Sequence, residues 1–298
     1  MKIHSLALKD KKLFVRYLGL AQRQLAAYGF ENIYIWKGIF AISWALVRGS
    51  LCVFFEDNIG CFMYLPPLGE RLDPEALREC FALMDSRNKN QEVSRIENIS
   101  AGDIGEYKKF GYRLYEKPGE YLCQRSALAG LAGSRYKSKR AAANYFTKNY
   151  CSVYRGYVAA DEAGCLRLYR GWVAGRKRQN PDPLYQGMLQ DSEKCLRLAL
   201  ADYPSLNLAG KVVAIDGQIK AFTFGFRLSR DTFCVLYEIT DLKVKGLAQF
   251  IFMRFCRDLE PCKYINLMDD SGLENLKKVK LSYHPLKIIP AYIARKDA

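Results

Sequence analysis

Apolar positions recur along the chain with two periods, one near 3.6 residues and one near 2, and the two alternate from end to end. Leu77, Cys80, Phe81 and Met84 stand at i, i+3, i+4 and i+7, one face of a helix. Asp73-Pro74-Glu75 starts that helix with a capping carboxylate, a proline in the first turn and an acid at the positive dipole end. Cys195, Leu196, Ala199, Leu200 and Tyr203 mark another helical face, and Asp191-Ser192-Glu193 predicts its start. Asp103 with Glu106 predicts a capping box on a short helix ending near Gly111. Residues 41–47 and 51–55 flank Arg48-Gly49 as strand, turn, strand. Residues 212–215 and 219–226 flank Asp216-Gly217, a favoured hairpin dipeptide. Helix and strand signals so interleaved predict an α/β chain of mixed architecture.

The two hairpin turns lie 168 residues apart, and other features repeat at nearly that offset. Lys109-Phe110-Gly111-Tyr112 matches Lys280-Leu281-Ser282-Tyr283 at an offset of 171. At that offset Tyr121-Leu122-Cys123-Gln124-Arg125 faces Tyr292-Ile293-Ala294-Arg295-Lys296. Strand-like segments, 92–99 and 263–268, precede the two Lys-x-x-Tyr motifs. A length of 298 residues accommodates two domains. The expectation is therefore two tandem domains of one fold, 1–126 and 127–298, with the small residues of 127–133 as linker.

The second half carries the richest segment. Residues 233–239 read as a buried strand, 240–245 as a loop, and 247–259 as a helix that is apolar almost all round. The backbone at Gly246 and Leu247 would aim free N–H groups and a positive dipole end at a phosphate; plain strand-to-helix packing also accounts for the glycine. Glu238 ends the apolar strand, where an unpaired carboxylate costs several kcal/mol. Asp241, Asp269 and Asp270 follow nearby, and a parallel pairing of the two strands would bring these acids to one rim. Either a carboxylate there accepts a proton from an attacking group, or Lys277, Lys278 and Lys280 neutralise it.

Composition narrows the function classes. With 50% apolar and 13% aromatic residues the chain folds rather than staying disordered. Its longest apolar run, about 39–47, falls short of the ~20 residues that span a bilayer. Lys2, Lys9, Asp10, Lys11 and Lys12 interrupt the first apolar stretch, so no secretory signal is read and a cytoplasmic protein is expected. Ten cysteines without a Cys-x-x-Cys pair, and histidines only at 4 and 284, predict reduced thiols and no metal site. Phosphate-loop, dinucleotide and nucleophile-elbow motifs are absent. Lys and Arg total 46 against 31 acids, a formal charge of +15, and residues 121–160 hold no acid at all. Such a field suits a polyanion: tRNA, a phosphate-bearing cofactor or an anionic membrane surface.

The run Asn266-Leu267-Met268-Asp269-Asp270-Ser271-Gly272, then Leu276-Lys277-Lys278-Val279-Lys280-Leu281-Ser282-Tyr283-His284-Pro285, resembles the phosphatidylglycerol lysyltransferase C-terminal domain family. That family has Asn-Arg-Glu-x-Asp-x-Gly followed by Gly-Leu-Arg-Lys-Ala-Lys-Leu-Ser-Tyr-x-Pro. Glu238-Ile239-Thr240-Asp241 stands at its Glu-Lys-Ala-Asp, with Lys245-Gly246 after it. Lys139-Arg140 through Asn144 and Phe146 resembles its Lys-Arg-Asn-x-x-x-x-Phe. Departures are Leu267-Met268 in place of Arg-Glu, and Ala141 in place of Asn.

The resemblance implies an α/β (α+β) chain of two tandem GNAT-like acyltransferase domains, each a mixed, mostly antiparallel sheet flanked by helices, related to the Fem-type aminoacyltransferases. It implies transfer of an activated acyl or aminoacyl group from charged tRNA or acyl-CoA to an amine or hydroxyl, with the cleft mainly in the C-terminal domain. Gly246, Leu247, Lys139, Arg140, Asn266 and Lys280 would hold the donor. Glu238 or Asp270 would accept the proton and Tyr283 would protonate the leaving group, with neither metal nor tightly bound cofactor. A second reading keeps the fold without the chemistry, as a binder of tRNA or an anionic surface, and a third is an ordinary acetyl-CoA transferase.

Overall fold

The computed structural model describes residues 1–21 and 24–296. They fall into two compact units: residues 1–21 and 24–120 with 269–273 and 288–296, and residues 121–268 with 274–287. Among the described residues no helix is long and apolar enough to cross a membrane.

The first unit begins with β1 (His4–Ser5), α1 (Lys11–Ala21) and α2 (Phe30–Ile35). The hairpin β2 (Ala41–Val47) and β3 (Ser50–Glu56) follows. Its two-residue turn has positive φ at both Arg48 and Gly49, the geometry that matches strand twist. Next come β4 (Cys61–Met63), α3 (Pro74–Arg87), β5 (Ile96–Ser100) and α4 (Ile104–Lys109). The strands pair in sequence order, antiparallel except for the parallel β4–β5 pair. Asp73 caps α3 by accepting from Glu75 N–H at 2.8 Å, and Leu77, Cys80, Phe81 and Met84 are buried as their spacing requires.

A long strand, β6 (Tyr112–Gln124), then leads to α5 (Arg125–Gly130), α6 (Lys137–Asn149) and β7 (Val153–Gly156). After them come α7 (Glu162–Gln179), α8 (Pro183–Ala201) and α9 (Tyr203–Leu206). The antiparallel run β8 (Ala209–Ile215), β9 (Gln218–Arg227) and β10 (Thr232–Thr240) feeds α10 (Leu247–Asp258). The chain ends with β11 (Tyr264–Asn266), α11 (Glu274–Leu281) and β12 (Lys287–Lys296). In the second unit the order is β6-β11-β10-β9-β8-β7, antiparallel except for β10–β11. β12 belongs to the first unit, paired antiparallel with β5. Each unit thus holds a tight hairpin and one parallel strand pair, and each parallel pair is followed by a short helix, Lys-x-x-Tyr and a closing strand. The tandem repeat expected from the sequence is present.

Three local expectations are corrected. α8 starts at Pro183, not near Asp191, and Asp182 caps it by accepting from Leu184 N–H at 3.1 Å and Tyr185 N–H at 3.4 Å. Asp191 and Glu193 lie mid-helix, where Lys194 pairs with the first and Arg170 and Arg197 with the second. Asp103 forms no capping box; its carboxyl accepts from Ser100 Oγ at 2.9 Å. Most of the expected linker is α5, since alanine and leucine favour helix, and the chain reverses only at Leu131 and Gly133, both with positive φ.

Candidate functional site

The second unit concentrates the chemistry-bearing residues on the face of its sheet covered by α5, α6 and α10. β10 carries a register shift between Val235 and Tyr237. Such an irregularity bends the strand and re-aims the side chains beyond it. Tyr237 turns toward α8, its hydroxyl donating to the Ser192 carbonyl at 3.0 Å. Glu238, the next residue, points to the opposite face.

Glu238 is half-buried and stands opposite Thr223 of β9. Directly opposed residues share a face with Cβ atoms roughly 4.5–5.5 Å apart. Thr223 is fully buried and its hydroxyl has no hydrogen-bond partner. Among the described residues no hydrogen bond or ion pair reaches the Glu238 carboxyl. Burial pushes its pKa up to about 8, and Lys139 pulls in the other direction. Burial in turn lowers the pKa of Lys139, with Glu238 opposing.

Lys139, on α6, donates to Ser282 Oγ at 2.8 Å and places its ammonium 3.7 Å from the centre of the Tyr283 ring. The Tyr283 ring meets Phe252 of α10 edge-on at 4.7 Å, and its carbonyl accepts from the Tyr136 hydroxyl at 3.0 Å. Burial, and then Glu238, holds the Tyr283 phenol well above its ordinary range, so it stays protonated. A carboxyl, an amine and a phenol are thus coupled electrostatically, and of the three the carboxyl, raised to about 8, titrates closest to neutral pH.

The other residues singled out by sequence have separate surroundings. Gly246 has φ +82°, and a Cβ there would sit 2.1 Å from the Ala142 carbonyl oxygen, so close packing of α10 on α6 demands the glycine. With Leu247 it opens α10, whose first turn carries no side-chain cap. Arg140 donates to the Leu131 and Gly133 carbonyls, satisfying the end of α5. Lys280 donates to the Leu267 carbonyl at 2.6 Å, and buried Asn266 accepts from Met268 N–H at 2.7 Å. Asp241 is held low despite burial by the Lys243 N–H and by Lys220, its ion-pair partner at 3.1 Å. Asp270 belongs to the first unit, buried, where it accepts from Gly272 N–H at 2.9 Å. A cavity of about 480 Å³ in the second unit is lined by α7 and residues 240–243, and Glu238 is not part of its wall.

Sequence reasoning missed Thr223 and gave Ser282 no role of its own. Thr223 is the polar position in Ala221-Phe222-Thr223-Phe224, a visible signal; that it lies across from Glu238 is a matter of register alone.

The profile of the family described as phosphatidylglycerol lysyltransferase, C-terminal, matches residues 20–295. Among solved structures, a conserved protein of unknown function from Bacteroides thetaiotaomicron aligns with a TM-score of 0.88 and 23% identity over 100% of both chains. L-PGS from Bacillus licheniformis aligns at 0.66 with 15% identity, over 96% of this chain and 92% of its own. A tandem GNAT protein from clavulanic acid biosynthesis aligns at 0.54 with 9% identity, over 100% of this chain and 99% of its own. At these identities the likenesses establish the fold, two tandem GNAT-like domains. No curated protein matches the sequence.

Proposed function

The chain belongs to the phosphatidylglycerol lysyltransferase C-terminal family, a GNAT-like group of acyl- and aminoacyl-transferase type, and from that membership we propose that it moves an aminoacyl group from charged tRNA to an amine or hydroxyl acceptor. The observation that carries this reading is Glu238: a half-buried carboxyl without a hydrogen-bond partner among the described residues, shifted to about 8, beside Lys139 and Tyr283.

In the proposed step the acceptor nitrogen or oxygen attacks the ester carbonyl carbon while Glu238, in its ionised form, takes the acceptor's proton. The bond from the carbonyl carbon to the tRNA ribose oxygen then breaks, and that oxygen receives the Tyr283 phenol proton, which Glu238 restores. Lys139 stabilises the charge that develops on the carbonyl oxygen. The ester is already activated, so acid–base chemistry and positioning suffice. The backbone at Gly246 and Leu247 receives a donor phosphate, and the basic surface around Lys139 and Lys280 holds the remaining polyanion. Arg140 is committed to backbone carbonyls and contributes less than its charge implies.

The test follows labelled aminoacyl transfer from bulk charged tRNA to a panel of amines and hydroxyl compounds. Glu238→Gln is expected to lower turnover by roughly 10²–10⁴-fold with tRNA affinity intact. A preference for acyl-CoA over charged tRNA would move the donor assignment, not the site. One observation favours a second reading, a binder without catalysis. Leu267 and Met268 replace the family's Arg-Glu, and Leu267 packs in the core cluster with Phe233, Phe252 and Tyr283. On that reading Glu238→Gln changes neither turnover nor affinity, and charged and deacylated tRNA bind alike.

A further inference from the structure

Thr223 sits inside β9, fully buried, and its hydroxyl has no hydrogen-bond partner. Valine fills the same volume in a strand without leaving a donor unsatisfied, so a threonine here is a standing cost to the fold. The proposed transfer step gives this hydroxyl no part.

Strand register tells which groups it can reach. Thr223 stands opposite Lys211 of β8 on one side and Glu238 of β10 on the other. Alternation puts Ala221, Thr223 and Gly225 on one face of β9. Ala221 packs with Leu247 and Ile251 of α10, so that face is the one under α10. Ala221 and Gly225 offer no polar side chain, and Lys211 is taken by Asp258 of α10 at 2.8 Å. Glu238 is left. Directly opposed residues hold their Cβ atoms roughly 4.5–5.5 Å apart, and the glutamate chain beyond Cβ is long enough to swing its carboxyl to the threonine hydroxyl.

The two protonation states of Glu238 use that hydroxyl differently. A neutral carboxyl carries its own O–H donor, whereas a carboxylate only accepts, at several lone pairs. A hydroxyl that donates to a carboxylate forms a charge-assisted bond, roughly twice as strong as a neutral one. Lys139 acts on Glu238 through its charge alone. The donor that ionised Glu238 lacks and the acceptor that Thr223 lacks are therefore met by one contact.

We propose that Thr223 is a positioning residue whose hydroxyl donates to the Glu238 carboxylate and steadies the base form on the α10 face of the sheet. The pairing follows from register, and its effect on turnover rests on the transfer reading. The other titratable groups facing Glu238 are Lys139 of α6, Cys256 of α10 and Tyr283 after α11, with Lys211 and Asp258 on the same face as an ion pair. All of them are common to wild type and variants and cancel in a comparison.

Carbon-13 NMR of the full chain, carrying glutamate labelled at its carboxyl carbon, tests the pairing, and Glu238→Gln identifies the resonance by its loss. Thr223→Val keeps the shape and removes the donor. It should raise the Glu238 titration midpoint by about one pH unit, a tenfold change in the ionisation constant. Thr223→Ser returns the donor and should bring the midpoint back to that of the wild type. On the transfer reading, turnover of Thr223→Val should fall about tenfold at pH 7 with KM unchanged, and approach the wild type at pH 10. A midpoint that Thr223→Val leaves in place, or that Thr223→Ser does not restore, overturns the proposal. A moved midpoint in a protein that transfers nothing upholds the pairing and removes the transfer reading; transfer with an unmoved midpoint does the reverse.

Discussion

Replacing Glu238 by glutamine should make the protein more stable, and by an amount that depends on pH. The carboxyl moves from an ordinary pKa of 4.5 to about 8 because burial penalises its charge more than Lys139 repays. At about 1.36 kcal/mol per unit, that displacement corresponds to about 5 kcal/mol. Water reaching a half-buried side chain, and relaxation around the charge, reduce the realised value to about 2–4 kcal/mol. The sign follows from proton binding. The unfolded chain loses this proton near 4.5 and the folded chain near 8, so between those values the folded state holds more protons and stability falls as pH rises. Glutamine copies the neutral acid and removes this slope. Urea unfolding followed by circular dichroism at pH 4, 7 and 9 should therefore show near-equal stabilities at pH 4. The glutamine variant should gain steadily, to about 2–4 kcal/mol at pH 9. Other titrating groups are common to both proteins and cancel in the difference. A gap that does not widen with pH, or a wild type that is the more stable at pH 9, would refute the assignment of Glu238 as a desolvated acid.

Further outcomes follow from the same geometry. Turnover should rise with pH through about 8 as the Glu238 base form appears, and Lys139→Met should move that midpoint upward, since it removes the charge that favours ionisation; initial rates between pH 6 and 10 decide both. Gly246→Ala should destabilise by roughly 2–4 kcal/mol in urea unfolding, because the added Cβ meets the Ala142 carbonyl oxygen at 2.1 Å and the backbone holds φ at +82°. Asp182→Ala should cost about 1 kcal/mol by removing the cap of α8, whereas Asp191→Ala, mid-helix and exposed, should stay within about 0.5 kcal/mol in the same assay.

Much of this molecule is legible one residue at a time. The two-residue hairpins at Arg48-Gly49 and Asp216-Gly217, the Asp73 cap of α3, and the passage from β10 through Gly246 into α10 all stand where local patterns place them. The errors were local as well. Asp191-Ser192-Glu193 carries the signature of a helix start, yet the helix begins eight residues earlier at Pro183, capped by Asp182. Asp103 carries the cap signature, yet its carboxyl turns to Ser100.

The element types, the tandem repeat and an isolated acid in an apolar strand are all written in local patterns of residues. These depend on spacing, charge and side-chain volume, which act over a few residues along the chain. Folding in three dimensions makes Lys139, rather than the C-terminal lysines, the cation acting on Glu238, sets Thr223 opposite it, and commits Arg140 to the carbonyls after α5. Those relations are contacts between residues far apart in sequence. They are set by strand register and helix packing, and a one-residue slip in β10 would send Glu238 to the opposite face with every local signal unchanged.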